Sequence, residues 1–280
     1  MKLAQKVAVN YLRAKLNLIA VVSKKKAAKK AFDLFSRPFR KPNKKIPPVF
    51  DKAEKLSFQQ DGYTIKGYRF NHPAPHRVLI LHGFESSCRN FDRYIIPMVR
   101  KGYEVLAFDA MAHGRSEGKN ITLPDYIKTI ELIQEFYGPV DRYMAHSFGG
   151  LALVLYLEKN DHQATDKAVL IAPATETTTA INSFFQFLDL NDAIKTEFNQ
   201  LILDRSGVPP EFYSIKRALP NLKARVLWVH DDTDEITPLT DVQPIMETRP
   251  EQVEFMITSG LGHRRIYRDN KVQKRVFDFL

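Results

Sequence analysis

Short motifs in the sequence carry side chains that can perform nucleophilic chemistry. The first is Ala-His-Ser-Phe-Gly-Gly at residues 145–150, in which Ser147 follows an apolar run and precedes a helical pattern. A serine between a strand and a helix lies on a sharp turn that exposes its hydroxyl. Small neighbours let the backbone approach itself there, and the helix N-terminus directs N–H groups toward the reacting oxygen. Ser-x-Gly alone is equally typical of a helix cap, so the motif needs partners.

Residues that could activate this serine occur later in the chain, again after apolar runs. His-Asp-Asp-Thr-Asp-Glu at residues 230–235 contains four acids, and Gly-Leu-Gly-His at residues 260–263 places a histidine on a glycine-flanked loop. A histidine so placed can act as general base, and an acid in the preceding loop can orient it. A lone histidine is otherwise a packing or solvated residue. We predict that His263 is the base, and its partner is one of the four competing acids of residues 230–235.

Further histidines follow two other apolar runs. In His-Gly-Phe at residues 82–84, the turn directs the N–H of Phe84 toward the same site, and with the N–H of Phe148 it predicts a two-donor oxyanion hole. We interpret His82 as a buried structural residue.

Asp109 and His113 have the spacing of two metal ligands, but no further ligands match it, so we predict a structural loop and no metal or cofactor.

Taken together, residues 54–280 resemble the α/β-hydrolase superfamily, with its order of nucleophile, acid and histidine. The resemblance assigns the elbow serine to Ser147, the acid of the His-Gly-x-x-Asp pattern to Asp234 and the terminal histidine to His263. It assigns the oxyanion-hole positions to Phe84 and Phe148. It implies a Ser-His-Asp triad that cleaves acyl bonds through an acyl-enzyme.

The sequence departs from the superfamily pattern at two positions. Ala145 replaces the first glycine of the serine motif, a change that a small residue tolerates. Asp231 replaces the glycine that follows the histidine of the acid motif, which adds another acid to that loop.

The elements that must position these motifs alternate along the chain. Short apolar runs predict strands, and the stretches between them have helical patterns near 89–101, 122–137, 149–160, 239–247 and 271–280. The two runs around Asp61-Gly62 predict an antiparallel hairpin. The alternation predicts an α/β fold with a mostly parallel sheet flanked by helices. The predicted strands are Leu56–Phe58, Tyr63–Phe70, Val78–Leu81, Val105–Phe108, Tyr143–Ala145, Val169–Ile171, Val226–Val229 and Val253–Ile257.

Two segments stand outside this alternation. Residues 1–50 predict a basic, amphipathic helical extension that ends in a linker containing Pro38, Pro42, Pro47 and Pro48. Residues 51–280 then form the α/β-hydrolase domain, with a helical cap insertion at about 175–225. The first 52 residues contain 15 Lys and Arg against 2 Asp and Glu, so the basic charge of the chain belongs to the extension. With one cysteine, Cys88, the fold does not depend on disulfides.

The extension has a pattern of its own. At a period of 3.6 residues its polar members Lys2, Lys6, Arg13 and Asn17 lie on one side of a helix. The apolar side comprises Leu3, Val7, Tyr11, Leu18, Val21 and Val22. This segment suits either the surface of an anionic membrane or packing against the body or a second subunit. We expect a cytoplasmic protein, with contact at the inner membrane surface through residues 1–30 as the alternative.

Substrate class is the least determined property. Aromatic residues of the insertion (Phe184, Phe185 and Phe187) and Leu188 could line an apolar acyl pocket, or could pack the insertion. We expect a carboxylesterase for small or medium apolar esters. A thioesterase and an aminopeptidase are alternatives, as is a membrane-surface binding protein on a hydrolase scaffold. The sequence contains no nucleic-acid recognition motif, and we predict no nucleic-acid partner.

Overall fold

The computed structural model describes residues 3–39 and 46–280, with side chains from residue 6 onward. Lys2 and Pro42 therefore lie outside the described residues, as does the side chain of Leu3. The described residues contain eight strands: β1 (Glu54–Gln60), β2 (Tyr63–Phe70), β3 (Arg77–Leu81), β4 (Glu104–Asp109), β5 (Arg142–His146), β6 (Lys167–Ile171), β7 (Arg225–Asp231) and β8 (Val253–Thr258). They also contain eleven α-helices: α1 (Leu3–Val22), α2 (Lys24–Phe35), α3 (Asp92–Arg100), α4 (Leu123–Tyr137), α5 (Phe148–Lys159), α6 (Thr177–Leu188), α7 (Asp192–Ser206), α8 (Ile215–Ala218), α9 (Gln243–Glu247), α10 (Gly262–Arg265) and α11 (Asn270–Phe279).

All eight strands form one sheet, in the order β1-β2-β4-β3-β5-β6-β7-β8. The pairs β1–β2 and β2–β4 are antiparallel, and every later pair from β4 to β8 is parallel. Asp61 and Gly62 turn the first hairpin with positive φ angles of 49° and 80°. The predicted mostly parallel sheet with flanking helices is therefore confirmed, as is the antiparallel hairpin.

The central strands are apolar because helices cover both of their faces. In β3, β5 and β6 every residue after the first is buried, which is the pattern expected of parallel strands in a layered α/β fold. Parallel strands end at the same edge of the sheet. The loops after β3, β5, β7 and β8, which carry the predicted site motifs, consequently meet at that edge.

One predicted helix is shorter in the structure than in the sequence pattern. The segment predicted as a helix over 239–247 consists of a 3₁₀ turn at Leu239–Asp241 followed by α9. Pro244 lies in the first turn of α9, where a missing N–H costs nothing, whereas in a continuous helix it would remove a hydrogen bond. The proline therefore starts a new helix within the pattern.

The chain divides into two compact units. Unit 1 consists of Met1–Arg37 with Glu176–Ser214, and unit 2 of Pro38–Thr175 with Ile215–Leu280. The N-terminal helices α1 and α2 and the helices α6 and α7, which the chain inserts between β6 and β7, thus make up one unit. Glu176 pairs with Ser214 in an isolated antiparallel bridge, so the inserted segment closes on itself.

An aromatic cluster forms the interior of unit 1. Phe198 is fully buried, and four phenylalanine rings have centroids 5.2–6.4 Å from its ring: Phe32, Phe35, Phe184 and Phe185. The guanidinium of Arg205 lies 4.7 Å from the ring centre of Phe32. In this way Phe184 and Phe185 pack among aromatic side chains of their own unit, whereas Phe187 is exposed.

Helices α1 and α2 are separate because Ser23 interrupts them. Its extended backbone (φ −159°, ψ 111°) breaks the helix, and its side chain accepts a hydrogen bond from the amide of Lys26, as an N-cap does. No helix in the described residues is both long and apolar enough to cross a membrane.

Candidate active site

Ser147 occupies a strained turn between β5 and α5. Its φ of 54° and ψ of −122° fall in a region that non-glycine residues rarely adopt, at a cost of about 1–3 kcal/mol. Backbone hydrogen bonds hold the turn: the Ser147 N–H donates to Ile171 O at 3.2 Å, and its carbonyl accepts from the amides of Ala174 and Gly150 at 3.0 and 2.9 Å. The surrounding sheet therefore maintains a conformation in which the serine hydroxyl projects from the turn.

Two glycines make this turn possible by allowing close backbone contact. A Cβ on Gly149 would lie 2.7 Å from the carbonyl oxygen of His82, and a Cβ on Gly83 would lie 2.8 Å from the Cβ of Ser147. Real Cβ atoms do not approach other atoms so closely. These contacts explain why glycines occur in both the Ser147 and the His82 motifs.

Ser147, His263 and Asp234 form a chain of hydrogen bonds. The Oγ atom of Ser147 is 3.0 Å from His263 Nε2, and His263 Nδ1 is 2.8 Å from Asp234 Oδ2. A carboxylate can only accept, so Nδ1 carries the proton and Nε2 accepts from the serine hydroxyl. The side chains of the histidine and the acid are almost completely buried, which strengthens the interaction between them.

The structure distinguishes among the acids of the loop after β7. Asp232 and Glu235 are exposed, whereas Asp234 is buried. One oxygen of Asp234 accepts from the amides of Ile236 and Thr237, each at 2.9 Å. Burial acts to raise the pKa of Asp234, but the hydrogen bond and charge of the histidine ring, with these amides, hold that pKa below its ordinary value. Asp234 is therefore ionised at neutral pH.

Asp231 contacts the loop that carries the histidine. One carboxylate oxygen accepts from the amide and hydroxyl of Thr233 (3.1 and 2.6 Å) and from the amide of Gly262 (2.9 Å). The other accepts from the hydroxyl of Thr258 (2.7 Å) and the amide of Leu261 (3.0 Å). Burial opposes ionisation, yet these hydrogen bonds hold the pKa of Asp231 far below its ordinary value. Asp231 thus fastens the end of β7 to the loop after β8.

His146, the last residue of β5, contacts the same histidine loop. Its Nε2 is 3.1 Å from the carbonyl oxygen of His263, so Nε2 carries the proton and donates. The two imidazole rings have centroids 4.7 Å apart. Burial, followed by the nearby His263 ring, lowers the pKa of His146 to about 3. At neutral pH the side chain is therefore a neutral donor.

The predicted oxyanion-hole residues lie at the ends of two neighbouring elements. Phe84 follows β3 and Phe148 opens α5, and their rings meet edge to face with centroids 5.9 Å apart. The first N–H groups of a helix have no intrahelical partner. Within residues 3–39 and 46–280, neither amide donates to the backbone outside regular helix and strand pairing. Each N–H therefore remains a potential donor.

The histidines after β3 and β4 make backbone contacts. His82 Nδ1 donates to Gly83 O at 2.8 Å, and its Nε2 accepts from the amide of Ala110 at 3.0 Å. His113 Nε2 accepts from the amide of Glu85 at 3.0 Å. Burial, then the neighbouring His82, lowers the pKa of His113 to about 3. Both side chains serve as neutral structural donors and acceptors.

The Asp109 carboxylate likewise accepts hydrogen bonds from backbone amides. Its two oxygens accept from the amides of Cys88 and Arg115, at 3.0 and 2.9 Å. The described residues contain no group of three or more His, Cys, Asp or Glu side chains that could hold a metal ion.

Sequence reasoning missed the residues that hold the site in place. His146, Asp231 and Thr237 were assigned no role there, although the Thr237 hydroxyl donates to Asp234 Oδ2 at 2.9 Å. Arg265 also supports the histidine loop, because its guanidinium donates to the carbonyls at positions 260 and 261. The departure from glycine at position 231 was the one signal in the sequence that could have directed attention to such a residue.

Parts of this chain are similar in sequence to known proteins. A family model described as serine aminopeptidase, S33, matches residues 72–203. The uncharacterized protein YqkD of Bacillus subtilis is 22% identical over 246 residues, which cover 82% of this chain and 81% of that protein.

Solved structures share the fold at low sequence identity. An esterase of Pyrococcus furiosus superposes with a TM-score of 0.63 at 21% identity, over 88% of this chain and 97% of that one. Est1E of Butyrivibrio proteoclasticus, solved with ferulic acid bound, superposes with a TM-score of 0.60 at 17% identity, over 80% and 97% of the two chains. With its sheet order and these structural matches, this chain has the α/β-hydrolase fold.

Proposed function

We propose that this protein is a serine hydrolase that cleaves carboxylic esters through an acyl-enzyme. Ser147 is the nucleophile, His263 the general base and Asp234 the acid that orients the histidine. The amides of Phe84 and Phe148 stabilise the oxyanion. The substrate is a small molecule with an apolar acyl group.

One observation supports this proposal above the others. The chain from Ser147 Oγ to His263 Nε2 and from His263 Nδ1 to Asp234 Oδ2 has distances of 3.0 and 2.8 Å. It starts at a serine held in a strained backbone conformation. A structural serine has no need of that strain, whereas a nucleophile at a strand-to-helix turn gains an exposed hydroxyl from it.

Acylation follows from the proton positions. Ser147 Oγ attacks the ester carbonyl carbon while His263 Nε2 takes the hydroxyl proton, and the carbonyl oxygen becomes an oxyanion. The Asp234 carboxylate stabilises the imidazolium that results. When the oxyanion collapses, the bond to the alcohol oxygen breaks, and His263 returns the proton to the departing alcohol.

Deacylation repeats these steps with water as the nucleophile. His263 Nε2 removes a proton from the water as its oxygen attacks the acyl carbon. Collapse then breaks the bond to Ser147 Oγ, which recovers the proton from the histidine, and the carboxylic acid leaves. Each group ends in its initial protonation state, so the cycle needs no cofactor.

Labelling with a fluorophosphonate probe tests the nucleophile. Wild-type protein should react, and Ser147→Ala should not, since the probe forms its bond with an activated serine beside an oxyanion hole. Ser259→Ala is a matched control, because Ser259 is exposed and lies close to the histidine loop in sequence; it should label like wild type. No labelling of folded wild type, or equal labelling of Ser147→Ala, would refute the assignment.

A panel of p-nitrophenyl esters of increasing acyl length tests the substrate class. We expect turnover that falls by roughly 10⁴-fold or more in Ser147→Ala. Turnover no higher than that of this variant at every chain length would exclude the esterase assignment, even if the probe labels Ser147.

Amide hydrolysis is the second candidate, because the matching family model is described as a serine aminopeptidase. The same nucleophile would attack a peptide carbonyl, and His263 would protonate a departing amine. Amino-acid p-nitroanilides measured beside the esters discriminate between the two. Higher kcat/KM on the anilides would replace the ester assignment with the amide one, and acyl-CoA in the same panel covers thioesters.

A further inference from the structure

Helix α1 presents an apolar strip to solvent. Val7, Tyr11, Leu18, Val21 and Val22 are 61–84% exposed. Their spacing places them on one side of the helix, along about 22 Å of its length. Single exposed apolar residues are common on protein surfaces, whereas a continuous apolar strip indicates a binding surface.

The opposite side of α1 is the side that packs. Leu16 is 2% exposed. The Arg13 guanidinium donates to Leu188 O at 3.0 Å and forms an ion pair with Asp189 at 3.5 Å. The helix is therefore anchored within unit 1 through one side, and the apolar strip on its other side is left uncovered in the described structure.

The segment that carries this strip is strongly basic. Residues 1–37 contain ten Lys and Arg and one acid, Asp33. Lys6 and Lys15 of α1 are exposed, and so are the lysines of α2 at positions 24, 25, 26, 29 and 30. Lys24, Lys25 and Lys26 follow Val22 after a single residue, Ser23. Exposed lysines near an anionic lipid surface are attracted to its headgroups and strengthen binding.

We propose that the α1 strip and the lysines of α2 form a docking surface for an anionic phospholipid bilayer. The helix lies along the bilayer plane, the valine and leucine side chains enter the acyl region, and Tyr11 lies at the headgroup level. The lysines contact anionic headgroups. A second copy of the chain fits this surface poorly, since symmetric pairing would bring two strongly basic segments together. This inference goes beyond the proposed function and does not depend on it.

Vesicle flotation of the full chain tests the surface. Phosphatidylcholine vesicles with about 30% phosphatidylserine should recover at least about 10-fold more protein than phosphatidylcholine vesicles. Because exposed charges are screened, recovery on the anionic vesicles should fall in 0.5 M salt. Equal recovery on both vesicle types, or recovery on neither, would overturn the proposal.

Paired variants separate the apolar and charged contributions. Leu18→Gln with Val22→Gln should lower anionic-vesicle recovery about 10-fold, since two apolar side chains no longer enter the bilayer. Its matched control is Ile96→Gln with Phe136→Gln, two exposed apolar residues of unit 2, which should retain wild-type recovery. Equal losses in the two pairs would contradict a specific strip.

The lysine variant has a charge-matched control. Replacing Lys24, Lys25 and Lys26 with Gln should abolish most binding to anionic vesicles and reduce its salt dependence. The same replacement at the exposed residues Lys55, Lys119 and Lys271 of unit 2 should have little effect. If both triple variants lose binding equally, net charge explains it and the proposed surface is wrong.

Sedimentation velocity at matched concentrations addresses self-association. The proposal expects the Leu18→Gln, Val22→Gln pair to sediment like wild type. If wild type sediments as a dimer, and this pair sediments as a monomer with unchanged vesicle recovery, the strip binds a second copy and the membrane proposal fails. Unchanged fluorophosphonate labelling and thermal unfolding show that each variant is folded.

Discussion

The two units of this chain use different interactions to hold their interiors together. Unit 2 contains all eight histidines and buries charged groups that include Asp109, Asp231 and Asp234. In unit 1 the buried polar side chains among the described residues are the hydroxyls of Ser36 and Ser214. Unit 1 instead depends on phenylalanine rings around Phe198.

This difference reflects what each interior must do. A buried polar group costs free energy unless it is hydrogen-bonded, so a domain concentrates such groups where geometry matters. In unit 2 the hydrogen bonds of Asp231 and His146 fix a loop whose position controls the distance from His263 to Ser147. The buried side chains in the described part of unit 1 are mainly apolar, and apolar packing tolerates small displacements.

The largest expected effect tests whether one acid of unit 2 is specialised. Asp234→Asn should lower kcat roughly 10⁴-fold, because an amide can impose the wrong histidine tautomer. Asp232→Asn, at an exposed position of the same loop, should leave kcat within about twofold. Steady-state kinetics on the best ester of the panel measures both. Similar losses in the two variants would mean that the acid is not specific.

A core substitution in unit 1 tests whether this unit can be destabilised without destabilising unit 2. Phe198→Ala removes the central ring of the cluster and should destabilise unit 1 by about 3–5 kcal/mol. Hydrogen exchange should then accelerate in α2 and α7 while β3 and β5 keep their protection. The control, Phe187→Ala at an exposed position, should leave exchange unchanged. Equal acceleration in the sheet would show that the units unfold together.

The hydrogen bonds of Asp231 suggest a positioning role without direct contact with substrate. Asp231→Asn replaces one accepting oxygen with an NH₂ group that faces a backbone N–H or a hydroxyl, and should lower kcat about 10²-fold through displacement of the histidine. KM should change little. Asp232→Asn again serves as control. Wild-type kcat in Asp231→Asn would show that the loop keeps its position without this carboxylate.

The smallest expected effect is a pH dependence of the stability of unit 2, the unit that contains the histidines. Burial lowers the pKa of His146 and of His113 to about 3, whereas an unfolded histidine has a pKa of about 6.5. Between these values the unfolded chain binds protons that the folded chain does not. Stability should therefore fall as pH falls, by up to about 1.4 kcal/mol per pH unit for each such histidine.

Urea unfolding of unit 2 between pH 7 and pH 4.5 measures this dependence. The buried carboxylates with lowered pKa lose their contribution to the free energy of unfolding mainly below this pH range. A change in stability between pH 7 and pH 4.5 therefore reports mainly on the buried histidines. His146→Gln keeps a donor for the carbonyl and should reduce the slope, whereas His76→Gln, at a half-exposed side chain, should change it less. A slope unaffected by His146→Gln would contradict the assignment.

Much of the sheet could be predicted because its information is local. Each buried strand is a run of apolar residues, such as Val78–Leu81, that parallel pairing covers on both faces. The motifs at Ser147 and His263 were also recognisable, since glycines and small residues flank both positions. Asp234 has no such flanking residues, and the resemblance to the superfamily distinguished it from the other acids of its loop. The spacing of these motifs after apolar runs placed them at one edge of the sheet.

Other features are long-range and no local pattern contains them. The hydrogen bond from His146 to the carbonyl of His263 joins residues 117 positions apart, and the Asp231 contacts span about 30. Helical periodicity identified the apolar side of α1, but only packing determined that this side faces solvent while Leu16 is buried. Periodicity specifies which residues share a face. Which face is buried depends on the partner surface, and that surface is created only when distant segments fold together.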